Sequence, residues 1–244
     1  MKFLLAPLVL AIAAGAVTAA EAPAAKPQAA TSAELSTMAK RFAPVDLHAE
    51  TAGLSKGDRA AIGKLIEAAK IVDTLQLRQR WAGNEALWAA LQKDTTPLGK
   101  ARQHYFWLNK GPWSIIDGNA SFMPPAYAGI AIPARKPDGA NFYPAGATKA
   151  ALESWMNALP AKDKEQAQWF FTVIRAGQDG KFRTVKYAQE YKPELEKLAK
   201  LLRDAAASTD NASLKKFLTL RADAFLSNDY LASDFAWMDL DSPV

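Results

Sequence analysis

The sequence predicts a mainly α protein, a helical lobe with one small β-hairpin and a Gly/Pro-rich loop segment. Three observations predict it. Apolar residues recur at helical spacing through most of the chain beyond residue 33. Residues 110–144 hold Gly111, Pro112, Pro124, Pro125, Gly129, Pro133, Pro137, Gly139 and Pro144, a density of breakers that no helix survives. One pair of β-branched and aromatic stretches flanks a turn. Half of the 244 residues are hydrophobic and 23% are charged, so the chain has a real core to fold around.

Residues 1–20 read as a secretory signal peptide: Lys2, an uncharged apolar run over 3–17, then small residues ending at Ala19 and Ala20. The run is shorter than the roughly 20 residues a membrane-spanning helix needs. With no cysteine there is neither a lipid-modified residue after the signal nor a disulfide framework. The expected location is periplasmic or secreted. Residues 21–32, rich in Ala and Pro, read as a flexible leader, and 33–244 as one lobe.

Ser55 followed by Asp58 is a capping-box signature. It opens a helix over 56–81 whose apolar stripe is Ile62, Leu65, Ile66, Ala69, Val72 and Leu75. Gly83 breaks that helix, and helices follow over 84–92 and 97–109. Thr148 caps the next, which carries Leu152, Trp155, Met156 and Leu159. The hairpin pairs 171–175 with 182–185 around a turn over 176–180. Tyr191, Leu195, Leu198, Leu202 and Ala205 then form one buried stripe, and Leu214, Phe217, Leu218 and Phe225 another. A last helix spans 229–238.

Hydrolytic zinc sites draw on paired histidines one helical turn apart, and this chain has only His48 and His104. His48 reads as solvated; His104, beside Tyr105, Phe106 and Trp107, reads as a packed helix residue. There is no thiol nucleophile and no phosphate loop. Asp223, Asp229, Asp234, Asp239 and Asp241 lack calcium-loop spacing and read as caps and solvated charges. The formal charge of +5 is spread out, without the clustered basic residues of a nucleic-acid binder. Seven tryptophans favour an aromatic core over an exposed groove, given the area each ring buries. No catalytic residue, metal ligand or cofactor is assigned to this chain.

Four stretches, in order, carry a family resemblance: Leu65-Ile66-Glu67-Ala68-Ala69-Lys70-Ile71-Val72-Asp73 with Arg78-Gln79-Arg80-Trp81; Asn109-Lys110-Gly111-Pro112-Trp113; Gly139-Ala140-Asn141-Phe142-Tyr143-Pro144; and Arg221-Ala222-Asp223-Ala224-Phe225 with the run over 229–241. Together they resemble the N-terminal half of bacterial dipeptidyl peptidase III-like zinc hydrolases, over about residues 42–241. The resemblance implies a secreted two-lobed metallopeptidase whose second lobe carries zinc on an H-E-x-x-G-H helix. That motif is absent here. It implies that this chain is the substrate-cleft lobe, not catalytic in isolation, with zinc expected for the full-length family. A peptide substrate and a C-terminal catalytic lobe are the implied partners, with no nucleic acid and no membrane.

By the same resemblance the loop over 139–144 borders the cleft, which makes Asn141, Phe142 and Tyr143 the implied substrate-binding residues. Equally, Phe142 and Tyr143 could plug the core beneath that loop. Ser114 and Ile116 stand where charged residues are expected in relatives, which argues against a cleft role there. The alternative from another class is a stand-alone periplasmic helical module that binds peptides or glycans.

Overall fold

The computed structural model describes residues 29–244, so the expected signal peptide and most of the leader lie outside the described residues. The described end of the expected leader, 29–32, is held to the fold. The Ala30 amide donates to the Phe122 carbonyl, and Thr31 caps helix α1 (Ser32–Ala39) through a reciprocal box with Glu34. Leu35 is the buried anchor of that helix.

The frame consists of three long helices. In α2 (Lys56–Arg80), capped by the Ser55 hydroxyl as its spacing predicts, Ala61, Ala68 and Leu75 are buried at seven-residue intervals. They pack, in one cluster, with Leu195, Leu198, Ala199, Leu202 and Ala205 of α8 (Lys192–Ser208) and with Leu214, Leu218 and Ala222 of α9 (Ala212–Ser227). The expected stripe on α2 is rotated: Ile66 and Val72 are half-exposed, while the alanines take the seam. Close helix approach selects small side chains, so apolar size alone misjudges the inward face. A β-carbon on Gly57 would lie 2.3 Å from the Ser208 carbonyl oxygen, which measures how closely the start of α2 meets the end of α8.

A second cluster joins α1 to α3 (Asn84–Lys93) and α4 (Pro97–Asn109) around Leu77, Leu87, Leu91, Tyr105, Phe106 and Phe122. The breaker-rich segment closes over it. It holds no α-helix but forms two short antiparallel pairs, β1 (Trp113–Ser114) with β2 (Ala120–Ser121) and β3 (Ala126–Tyr127) with β4 (Ile130–Ala131). Gly118 and Gly129, with φ near +61° and +80°, supply turn conformations that other residues rarely adopt.

The third cluster packs α5 (Lys149–Ala158) and α6 (Ala161–Ala167) on the expected hairpin, β5 (Thr172–Ala176) with β6 (Phe182–Lys186). Its register pairs Val173 with Val185 and Ile174 with Thr184. Short helix α7 (Tyr187–Glu190) leads into α8, and α10 (Leu231–Met238) lies along α9. The class is therefore mainly α with small hairpins: the predicted one and two that lie in the Gly/Pro segment. Among the described residues no helix is long and apolar enough to cross a membrane.

Candidate functional site

The loop over 139–144 sits on the C-terminal end of α2, where the last carbonyls of a helix need donors. The Asn141 backbone amide donates to the Gln79 carbonyl at 2.8 Å, and its side-chain amide donates to the Arg78 carbonyl at 2.9 Å. The Phe142 carbonyl accepts from the Ile174 amide at 2.8 Å, tying the loop to the edge of β5. The Phe142 ring stacks on Tyr187 at 6.5 Å and 19° and packs against the main core. Tyr143 faces outward. It is 38% exposed and lines a cavity of about 640 Å³ with Pro137, Asp138, Leu152 and Met156. The three residues are neighbours in sequence with three different surroundings: a helix end, the core and open space.

Arg78 organises the ground beneath this loop. Its guanidinium donates to Glu85 of α3 at 2.6 Å and to Glu194 of α8 at 2.7 Å while its carbonyl receives Asn141. Two half-buried carboxylates hold the guanidinium above its ordinary pKa, the Glu85 hydrogen bond being the larger cause. Nearby, Lys110 of the Asn-Lys-Gly-Pro-Trp stretch pairs with Asp73 at 3.0 Å and lies 3.2 Å over the Trp107 ring. These ion pairs join α2 to its neighbours and fix the platform on which the loop rests.

The other candidates lie apart from one another, exposed or in ion pairs. His48 is exposed in the irregular 43–55 segment, and His104 is exposed on α4. The aspartates are dispersed: Asp223 pairs with Arg203 and Asp234 with Arg221, both at 2.6 Å, and Asp229 accepts the Leu231 amide at the start of α10. Trp113 is fully buried and donates to the Pro133 carbonyl, and Trp88 stacks on Phe106. The expectation of a buried aromatic set holds only in part, because Trp107, Trp169 and Trp237 are 40, 38 and 62% exposed. Among the described residues no group of His, Cys, Asp or Glu is placed to hold a metal ion. The described residues do not fit a zinc site.

Sequence patterns miss a second feature, an aromatic cleft of about 540 Å³ where Tyr187, Tyr191, Phe171 and Tyr230 meet α2 and α9. Its residues come from separate elements, so no local motif could reveal it.

By class, this is a mainly α fold with small two-stranded hairpins, in which Arg78, Asn141 and their partners hold the loop over 139–144 on the end of α2. No protein-family model matches the chain. It is similar to dipeptidyl-peptidase III from Corallococcus sp. strain EGB, with 50% identity and a TM-score of 0.82 over 88% of this chain and 39% of that one. It is also similar to DPP III from Caldithrix abyssi, with 37% identity and a TM-score of 0.77 over 85% and 38%. Among curated proteins, Nudix hydrolase 3 of Arabidopsis thaliana is 33% identical over 255 residues, covering 87% of this chain and 33% of the relative. In sequence and fold the chain is dipeptidyl-peptidase III-like, and it spans about two fifths of the solved relatives' length, consistent with an N-terminal half.

Proposed function

We propose that this chain is the substrate-cleft lobe of a secreted, zinc-dependent dipeptidyl-peptidase-like hydrolase and has no catalytic activity in isolation. The observation that carries this is its similarity to two dipeptidyl-peptidase III structures together with the lack, among the described residues, of any metal-binding group. A complementary lobe supplies zinc and the reacting groups. The loop over 139–144 supplies a rigid border to the peptide, Tyr143 being the side chain open to it, while Asn141 and Phe142 hold the loop in place. The segment over 1–20 exports the protein.

Mixing the chain with the remaining segment of the Corallococcus relative tests this. The mixture is expected to hydrolyse a dipeptidyl arylamide and the chain alone to be inactive. Tyr143→Ala is expected to raise KM with little change in the melting temperature. Chelator-sensitive hydrolysis by the chain alone overturns the proposal.

A further inference from the structure

The hydroxyl of Tyr191 is buried without a hydrogen-bond partner among the described residues. The residue itself is only 1% exposed. An unpaired buried hydroxyl is costly, and natural folds rarely leave one without reason. Tyr191 lines the cleft of about 540 Å³ between α2, α7, α8, α9 and the start of α10, a volume typical of small-ligand sites. The Gln79 side chain lies against the same hydroxyl without meeting hydrogen-bond geometry, and both residues line the cleft.

The remaining walls define what fits. Tyr187 meets Tyr191 edge to face at 5.3 Å, and Phe171 lies 4.4 Å from Tyr230 and 6.2 Å from Tyr187. Such walls favour another ring, stacked or edge-on. At the rim, the Arg221 guanidinium is neutralised by Asp234 at 2.6 Å. Burial pushes the Tyr187 phenol up to about 12, so it stays uncharged. A charged occupant would lose its hydration and find no free counter-charge.

We infer that this cleft is a binding site for an uncharged aromatic ring bearing one hydrogen-bonding substituent, which pairs with the Tyr191 hydroxyl and the Gln79 amide. The ring arrives either as a free phenolic or indolic molecule or as a tyrosine or tryptophan side chain of a polypeptide. The inference is independent of the peptidase proposal, since it uses neither the loop over 139–144 nor a metal.

The test titrates the full chain with 2-naphthol, with naphthalene as the ring lacking a hydroxyl, and with N-acetyl-tyrosinamide against p-cresol. Saturable binding of 2-naphthol is expected, with a change in the Cζ resonance of Tyr191 in ¹³C-tyrosine-labelled protein that naphthalene does not produce. Tyr191→Phe is expected to weaken 2-naphthol about three- to tenfold, the span of one net hydrogen bond, to leave naphthalene unchanged and not to lower the melting temperature. Tighter binding of N-acetyl-tyrosinamide than of p-cresol assigns the site to a polypeptide side chain, and the reverse assigns it to a free molecule. Absence of saturable binding to the unaltered chain overturns the inference, as does equal 2-naphthol affinity in a folded Tyr191→Phe protein. Should that variant not fold, the labelled resonance in the unaltered chain decides.

Discussion

Two glycines of one helix carry opposite instructions. At Gly57 a methyl group would meet the Ser208 carbonyl at 2.3 Å, whereas at Gly63 it would meet nothing within 4 Å. Gly63→Ala is expected to stabilise the fold by about 0.5–1 kcal/mol, the helix-propensity difference between the two residues. Gly57→Ala gains the same propensity but forces α2 away from α8, and overpacking of this kind costs about 1–3 kcal/mol. The net is a loss of about 1 kcal/mol, or a melting temperature lower by about 2–4 °C for a chain of this size. Paired thermal melts check both signs. Beside Gly57, the Asp58 carboxylate accepts from the Thr209 hydroxyl at 2.6 Å and from Ser55 at 2.9 Å. These two hydroxyls, Thr209 first, hold its pKa below 3.8. A depressed carboxylate stabilises the fold above its unfolded pKa and loses that contribution as pH falls through the folded one. Thr209→Val is therefore expected to destabilise more at pH 7 than at pH 3. Denaturant titrations at the two pH values test it, and an equal loss at both refutes the coupling.

For the elements, the loop over 139–144 illustrates how packing assigns different roles to adjacent residues. Asn141→Ala removes a donor from the end of α2 and is expected to cost about 1 kcal/mol. Phe142→Ala is expected to cost about 2 kcal/mol, less than the 3–5 of a fully buried ring because Phe142 is only partly buried. Tyr143→Ala is expected to stay within about 0.5 kcal/mol of the parent, as surface changes usually do. A reversed order, with Tyr143 dominant, would overturn this division of labour. The long helices are legible from sequence because caps such as Ser55 and Thr148 and the 3.6-residue period act locally. Helix α6 is not legible: its AKDKEQA segment has no apolar stripe and is held by packing of Ala167. Strands β1 to β4 are two residues each, too short for alternation to register. The loop's sequence signature could mark Asn141, Phe142 and Tyr143, but which of them turns inward depends on Arg78, Tyr187 and Ile174, up to 63 residues away. The cleft at Tyr191 depends wholly on such distant neighbours.

At the scale of the molecule, three buried clusters account for the core of the described residues, yet one face remains apolar and open. Along α10, Leu231, Phe235 and Met238 recur at four and three residues and are 64, 60 and 73% exposed, with Trp237 beside them. The inward positions Ser233 and Ala236 are small and already buried against the rest of the fold. A further shallow cavity, lined by Val72, Phe217, Trp237 and Leu240, extends this surface to the exposed flank of α2. Contiguous apolar surface beyond a few hundred Å² marks an interaction face in soluble proteins. The solved relatives contain more than twice the length this chain spans, and in the proposed assembly the complementary lobe covers part of this face. The isolated chain is thus expected to enhance 1-anilinonaphthalene-8-sulfonate fluorescence and to self-associate in sedimentation. Phe235→Glu, which places a charge mid-stripe without touching a buried position, is expected to reduce both by a clear margin while leaving the melting temperature within about 2 °C, the shift that about 0.5–1 kcal/mol produces at this size. A monodisperse monomer that binds no dye would show that this face needs no cover, and the stand-alone module would then become the better account of the chain.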